Sequence, residues 1–267
     1  MDADPIDLST IVYYQEAPKV PFASLKAALQ RLAPDANLVE YLGPNGDGNG
    51  VFKFDGTSIA IMTYPVTRPI EYLVNDPSPH FQWKTAEEDL ADYKAHSRVF
   101  IVDGPDPKDR AQLLSAARKL TLLTAALCEI TSAKGVLWSA ASQLIGADRF
   151  VPFARALATK GETPAQLWVR LLTANTSEGI KMGTLGLAPY AGRELELPSV
   201  SEENFREIAW NVIHLAQSMI EGNNLDLKSG EIIRPYDNSM EFNVVCIGDG
   251  FFDVGPATIL KVAWTAT

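Results

Sequence analysis

Two hydrophobic patterns alternate along the first half of the chain. Short runs of β-branched and aromatic residues predict strands at residues 11–14, 38–42, 51–54, 58–64 and 99–102. Between these runs, apolar residues recur every three or four positions, which is the spacing of a helix with one buried face. This spacing predicts a first helix beginning at Phe22 and a long helix that carries Leu113, Leu120 and Leu127 on its buried stripe.

Helix start signals add to this pattern. Thr85 with Glu88 has the spacing of a capping box and predicts a helix through about residue 96. Asp106 precedes a proline and is expected to cap the long helix. Ser199 with Glu202 forms a second capping box, which predicts a helix whose apolar face runs from residue 205 to residue 219. The order of elements indicates a sheet with helices packed on it.

The second half of the chain also mixes the two kinds of element. Strands are predicted at residues 135–138, 167–172, 180–187, 194–197, 241–247 and 257–262, and a further helix at 150–158. We therefore expect an α+β fold, a mixed sheet with packed helices, in a single domain over residues 1–267. Within it, residues 1–132 and 133–267 are possible lobes, two similar α/β units sharing one core.

The stretch from Gly183 to Glu196 places several turn residues beside a predicted strand. Gly183 and Gly186 flank a short apolar run, and Pro189 and Gly192 enclose a turn. One interpretation is a tight corner that joins two strands. The other is a backbone site for a ligand, since glycine has no Cβ and allows close approach.

The charge balance limits the kinds of partner. Asp and Glu number 33 against 23 Lys and Arg, which gives a formal net charge of -10 and a pI near 4.8. Such a charge opposes non-specific binding to nucleic acid and attracts basic partners. The N-terminal residues are acidic, unlike a secretory signal, and no apolar run approaches the roughly 20 residues that span a bilayer. We therefore expect a cytoplasmic protein that binds neither nucleic acid nor membrane.

Two groups of acidic side chains are candidates for contact with a basic partner. Each group has a second interpretation, because a charge cluster is often only a solvated surface. The candidate partner-binding residues are Glu87, Glu88, Asp89, Asp92, Glu194, Glu196, Glu202 and Glu203.

Signatures of catalysis are weak. Ser139 and Ser142 lack the Gly-x-Ser-x-Gly context of a nucleophile elbow. The three histidines, His80, His96 and His214, include no pair at the helical metal-site spacing of four residues. We therefore expect no catalytic residue, no metal and no cofactor.

Other residue types leave alternatives open. Cys128 and Cys246 have apolar neighbours and are expected to be buried free thiols. The loop at 43–50 imitates the opening of a calcium loop but lacks the closing glutamate. Asp237, Asp249 and Asp253 would form a divalent-ion site only if folded together. An exposed aromatic patch would favour a binding protein over an enzyme, with Trp83, Trp138 and Trp264 as its candidates.

A series of short motifs from residue 133 to residue 233 resembles the bacterial family called domain of unknown function 4261. The motifs are Gly-Val-Leu-Trp at 135–138, Phe150 and Phe153 in a helix, Pro-x-x-Leu-Trp-Val at 164–169, Thr-Leu-Gly-Leu at 184–187 and Gly-Arg-Glu-Leu-Glu at 192–196. One departure is the later hairpin, where the family favours Asp-Gly-x-Thr-x-Gly and this chain has Asp-Leu-Lys-Ser-Gly-Glu at 226–231. A ligand that used this hairpin in relatives is therefore not expected to be retained.

The resemblance carries over no catalytic residues. It implies an often effector-associated setting, in which small acidic proteins serve as cognate inhibitors of toxins. The first hypothesis is therefore an immunity protein that neutralises a cytoplasm-acting bacterial toxin by direct association. The alternatives are a hydrolase or metal-dependent enzyme with an unrecognised site, and a secretion accessory protein that binds its partner without inhibiting it. The oligomeric state is not predicted.

Overall fold

The computed structural model describes residues 7–42, 49–70, 81–106, 109–233, 240–248 and 258–266. The chain divides into two compact units. The first is Met1–Asn75 with Gln82–Leu167, and the second is Trp168–Thr267 with Asp76–Phe81. Each unit contains one multi-stranded sheet and at least one packed helix, which confirms the α+β class with a mixed sheet.

The first unit is built on an antiparallel sheet. The elements are β1 (Ser9–Tyr14), α1 (Phe22–Leu32), β2 (Leu38–Leu42), β3 (Gly50–Phe54), β4 (Thr57–Tyr64), α2 (Ala86–Leu90), β5 (Ala95–Ile101), α3 (Arg110–Ile130), β6 (Ala133–Trp138), β7 (Gln143–Gly146) and α4 (Ala147–Lys160). The described strands have the spatial order β2-β3-β4-β5-β1-β6-β7, and each neighbouring pair runs antiparallel.

Strand β1 lies at the centre of this unit. All six of its residues are buried, because β5 and β6 pair with its two edges and packed elements cover both of its faces. On one face α3 packs between α1 and α4, and Thr10 on β1 exchanges a 2.8 Å hydrogen bond with Thr124 on α3. On the other face Ile11 and Tyr13 contribute to a cluster that contains Trp83.

The second unit is built on a mixed sheet. The elements are β8 (Arg170–Thr176), β9 (Gly179–Leu185), α6 (Ala188–Ala191), β10 (Arg193–Val200), α7 (Phe205–Ile220), β11 (Ile232–Ile233), β12 (Met240–Gly248) and β13 (Thr258–Ala266). The described strands have the order β11-β12-β13-β10-β9-β8, in which β10 and β13 are parallel and the other pairs antiparallel. Helix α7 packs on α6 and β10. A short helix, α5 (Ala165–Trp168), ends at the division between the units.

Most predicted elements are confirmed, but several boundaries are wrong. The helix predicted from Thr85 to about residue 96 ends at Leu90, and His96 lies in β5. Asp109 rather than Asp106 caps α3, since its carboxylate accepts a 3.0 Å hydrogen bond from the backbone N–H of Gln112. The strand predicted at 167–172 begins only at Arg170, because the residues before it form α5.

The predicted lobe boundary after residue 132 does not coincide with the division between the units. Strands β6 and β7 and helix α4 belong to the first unit, where β6 pairs with β1. The two sheets also differ in strand number and in direction of pairing. In the part of the chain that the structure describes, no helix is both long enough and apolar enough to cross a bilayer.

Candidate protein-binding surfaces

The carboxylate of Glu194 organises the turn-rich stretch between Gly183 and Glu196. Glu194 lies in β10 and is only 2% exposed. Its Oε2 accepts a 2.6 Å hydrogen bond from the hydroxyl of Thr184. Its two oxygens also accept hydrogen bonds from the backbone N–H groups of Gly186, Leu187 and Ala188, at 2.8, 3.2 and 2.9 Å. Those amides belong to the turn that leads into α6.

This network decides between the two interpretations of the stretch. Gly186 and Gly192 have φ angles of 95° and 76°, which glycine adopts without a steric penalty, so the corner between β9 and β10 can be tight. The backbone amides that could have held an anionic ligand are already used by Glu194. The stretch is therefore a structural corner held by the protein's own carboxylate. Burial raises the pKa of Glu194 above its ordinary value, against the lowering effect of the donated hydrogen bonds.

The first predicted acidic group divides into structural and exposed members. Asp89 accepts a 2.7 Å hydrogen bond from the indole N–H of Trp83, and Asp92 forms a 2.8 Å ion pair with Lys134. These hydrogen bonds hold the pKa values of both aspartates below their ordinary value; for Asp89 the largest contribution comes from the Thr85 hydroxyl. Glu87 and Glu88 are exposed on α2, and the side chain of Asp92 is 55% exposed although it is paired with Lys134. These three are the exposed candidates for contact with a partner, whereas Asp89 is half-buried.

The second predicted group requires a correction. Glu194 and Glu196 are 2% and 3% exposed, so neither is available for contact with a partner protein. Both lie in β10, whose residues from Glu194 to Leu197 are all buried. The alternation expected of a strand with one solvated face therefore does not hold here. Glu202 and Glu203 are exposed and lie immediately before α7.

Helix α7 extends this exposed acidic group. Its buried face includes Ile208, Val212, Leu215 and Met219, which confirms the predicted apolar stripe. The segment 201–222 is described throughout, and it carries four glutamates and one arginine, all exposed. We call this the α7 surface; it consists of Glu202, Glu203, Arg206, Glu207, Trp210, His214, Gln217 and Glu221.

Trp210 is the large apolar residue of the α7 surface, and its side chain is 58% exposed. Its ring packs edge-on against the ring of His214, one turn further along the helix, with 4.6 Å between ring centroids. Trp83 and Trp138, which the sequence offered as members of an aromatic patch, are 8% and 0% exposed and belong to the core. Trp210 is not among the residues predicted from the sequence, although its position off the apolar stripe of the predicted helix is a usable signal.

A polar groove lies in the first unit. It encloses about 400 Å³ between the start of β4, the segment after β5 and one face of α3. Asp103, Ser115 and Lys119 line it. The ammonium of Lys119 donates to the backbone oxygen of Asp55 at 2.9 Å and to the hydroxyl of Thr57 at 2.7 Å. The groove therefore contains a lysine already held by the fold, and no histidine lines it.

Among the described residues, the structure does not bring the candidate catalytic side chains together. His96 is buried in β5, 3% exposed, and Cys128 is buried in α3, where burial raises its thiol pKa to about 12. Such a thiol is protonated at neutral pH and is a poor nucleophile. Within the described ranges, no three side chains of His, Cys, Asp or Glu are grouped so that they could hold a metal ion. His80, Asp237, Asp249 and Asp253, and most of the loop at 43–50, lie outside the described residues.

The comparisons with known proteins leave the chain without a match. No family model matches it, and the searches of curated proteins and of solved structures return no significant similarity.

Proposed function

We propose that this protein is a cognate immunity protein, which neutralises a bacterial toxin acting in the cytoplasm by binding to it directly. The observation that carries the proposal is the α7 surface, where four exposed glutamates and one arginine lie on or directly beside a helix whose other face is buried. Membership of the bacterial family that the motifs at 133–233 resemble would imply the same function, but it is part of the proposal because no family model matches the chain. The proposed partner is a basic toxin or effector domain.

Electrostatics explains how such a surface would act. A protein of net charge -10 attracts a basic partner from a distance, and complementary charges raise the association rate and suppress wrong partners. Glu202 and Glu203 are exposed, so their field extends into the solvent without the cost of burying a charge. The attraction falls as salt screens it, over a Debye length of about 8 Å at physiological ionic strength.

The test begins with affinity capture of the tagged full-length chain from cells of its source organism. We expect one basic protein to be retained at near-equal stoichiometry, and its toxicity in a heterologous host to be suppressed when this chain is co-expressed. The double variant Glu202→Lys/Glu203→Lys should weaken both capture and protection. Glu178→Lys/Asp226→Lys, the same change of charge at two exposed residues of the same unit outside the α7 surface, is the matched control and should retain both.

The alternatives predict different results. A secretion accessory protein would retain its partner but leave any toxicity unchanged. Equal capture and protection by wild type and the Glu202→Lys/Glu203→Lys variant would remove the α7 surface from the proposal. Retention of no partner by the wild-type chain would contradict the proposed function itself.

A further inference from the structure

The exposure of Trp210 distinguishes the α7 surface from an ordinary solvated helix face. Tryptophan is highly buried on average, and it is the residue type most enriched at the energetic centres of protein interfaces. Trp83, Trp138 and Trp168 follow the first rule, with exposures of 8% or less, whereas Trp210 is 58% exposed. Burying this indole against a partner would remove a large apolar area from water.

The position of Trp210 on α7 restricts the movement of its side chain before a partner binds. The helix is 16 residues long, and the neighbours Ile208, Val212 and Ile213 are buried beneath it. The contact with His214 at 4.6 Å limits the orientations that the indole ring can adopt. A side chain already held in place loses less conformational entropy on binding, which strengthens its contribution to affinity.

The charges around Trp210 indicate what it would meet. Residues three and four positions apart are neighbours on a helix, so Arg206 and Glu207 lie one turn before Trp210. Glu203 lies a further turn away in the same direction, and Glu221 lies beyond His214 near the helix end. Trp210 thus lies in the middle of an exposed helix face that carries three glutamates and one arginine. An apolar anchor with polar residues beside it is typical of protein interfaces.

We propose that Trp210 is the anchor of the α7 surface, and that it inserts into an apolar pocket bordered by lysine or arginine on a basic protein partner. This inference rests on the proposed function and specifies how the partner is recognised. The glutamates govern the rate of association, and Trp210 governs the rate of dissociation, because charges act over distance and a buried ring acts only on contact. The two contributions can therefore be separated kinetically.

The experiment measures association and dissociation rates by surface plasmon resonance. The probe is the basic protein that the wild-type chain captures, after its purification. Trp210→Ala should accelerate dissociation by about 30-fold and change the association rate by less than about twofold, as expected for an interface hot spot. Glu202→Lys/Glu203→Lys should chiefly slow association at low salt. Trp210→Phe keeps a ring and should dissociate at an intermediate rate.

Two controls show whether Trp210→Ala acts by removing a contact with the partner or by changing the fold or the surface charge. Ile232 is 49% exposed on β11 in the same unit, and Ile232→Ala should leave both rates unchanged. Poly-L-lysine carries positive charge without a pocket, so Trp210→Ala should bind it as the wild type does. Weaker binding of poly-L-lysine by Trp210→Ala would show that the substitution acts through the fold or its charges, and would overturn the inference.

The remaining outcomes distinguish the two proposals. If Trp210→Ala dissociates from the captured protein as slowly as the wild type, the anchor role is wrong while the proposed function stands. If the wild-type chain captures no basic protein, the proposed function fails, and the assignment of Trp210 fails with it. Faster dissociation confined to Trp210→Ala and Trp210→Phe supports the anchor.

Discussion

The indole ring of Trp83 occupies the space directly above Gly135, where any other residue would carry its side chain. A Cβ on Gly135 would lie 2.5 Å from Cη2 and 2.7 Å from Cε3 of this ring, well inside van der Waals contact. A Cβ on Gly146, the cross-strand partner of Gly135, would lie at an ordinary contact distance of 3.6 Å from Cδ1 of the same indole. Gly135 therefore allows Trp83 to close the cluster over β1, β6 and β7.

Gly135→Ala should accordingly destabilise the protein by about 1–3 kcal/mol, as overpacking of a well-filled core does. Urea denaturation of the full chain, followed by circular dichroism, measures the change. Gly104→Ala is the matched control, because a Cβ there would meet no atom within 4 Å. Equal stability of the two variants would mean that Trp83 can move aside at little cost.

Removing the Glu194 carboxylate should destabilise the corner between β9 and β10. Glu194→Ala leaves the N–H groups of Gly186, Leu187 and Ala188 without their acceptor. Each unsatisfied buried donor costs about 1–3 kcal/mol, and local relaxation will recover part of this, so we expect a total loss of about 3 kcal/mol. The measurement is again the free energy of unfolding in urea.

Glu203→Ala is the control for this loss, since Glu203 is exposed and surface substitutions usually change stability by less than about 0.5 kcal/mol. A Glu194→Ala variant as stable as Glu203→Ala would contradict the organising role of the carboxylate. Glu194→Gln should fall between the two, because one of its two acceptor positions becomes an N–H₂ group that faces donors.

His96 should make stability decrease as the pH falls below neutrality. Burial lowers its pKa from the ordinary value of 6.5, and the charge of Arg68 lowers it further, although the hydrogen bond from Nδ1 to the carbonyl of Val66 raises it. The unfolded chain therefore binds a proton at a higher pH than the folded chain does. The stabilising contribution is complete above pH 6.5 and is lost as the pH falls through and below it.

The variant His96→Phe tests this dependence, because it cannot titrate and can still stack on Tyr64, whose ring lies 5.1 Å from that of His96. The free energy of unfolding should be compared for the two proteins between pH 8 and pH 5. We expect the wild type to lose stability relative to the variant as the pH falls. If the free energies of unfolding of the two proteins change with pH in the same way, the titration of His96 lies outside the range from pH 8 to pH 5.

The exposed pair on α2 offers a separate test of electrostatic steering. Glu87→Lys/Glu88→Lys should slow association with a basic partner by about three- to tenfold at low salt, and the difference should vanish at high salt. Asp89 and Asp92 must be left in place, since they hold Trp83 and Lys134. The melting temperature should fall slightly, because two lysines in the first turn of α2 oppose the helix dipole. An association rate equal to that of the wild type at low salt would exclude this pair from steering.

The sequence predicted the elements whose periodicity is strong. The buried stripe of α3 and the apolar face of α7 were identified, since both follow the 3.6-residue period over several turns. Helix boundaries were less predictable because several polar residues competed for the capping role. Asp106 and Asp109 are both suitable caps, and in the structure the Asp109 carboxylate accepts the hydrogen bond from the backbone N–H of Gln112.

The candidate surface was predictable only in part. Glu202 and Glu203 were identified from their charge, and both are exposed. Glu194 was assigned to the surface by the same argument, yet its carboxylate turns inward to bind backbone amides that lie eight to six residues earlier in the chain. The sequence shows which residues carry a charge. Whether a charged side chain points into the solvent or into the protein depends on which backbone N–H groups the fold leaves without an acceptor. Trp210 could have been found by asking which large apolar residue lies off the stripe.

The central position of β1 has a consequence for how the first unit is made. Its hydrogen-bonding partners, β5 and β6, begin at Ala95 and Ala133, so both of its edges lack partners until most of the unit has been synthesised. Contacts between residues so far apart in the chain slow folding. The apolar run Ser9–Tyr14 has high β-propensity and no charge, which is the composition of segments that pair wrongly between chains. In the newly made chain this strand is therefore open to pairing with other copies until β6 arrives.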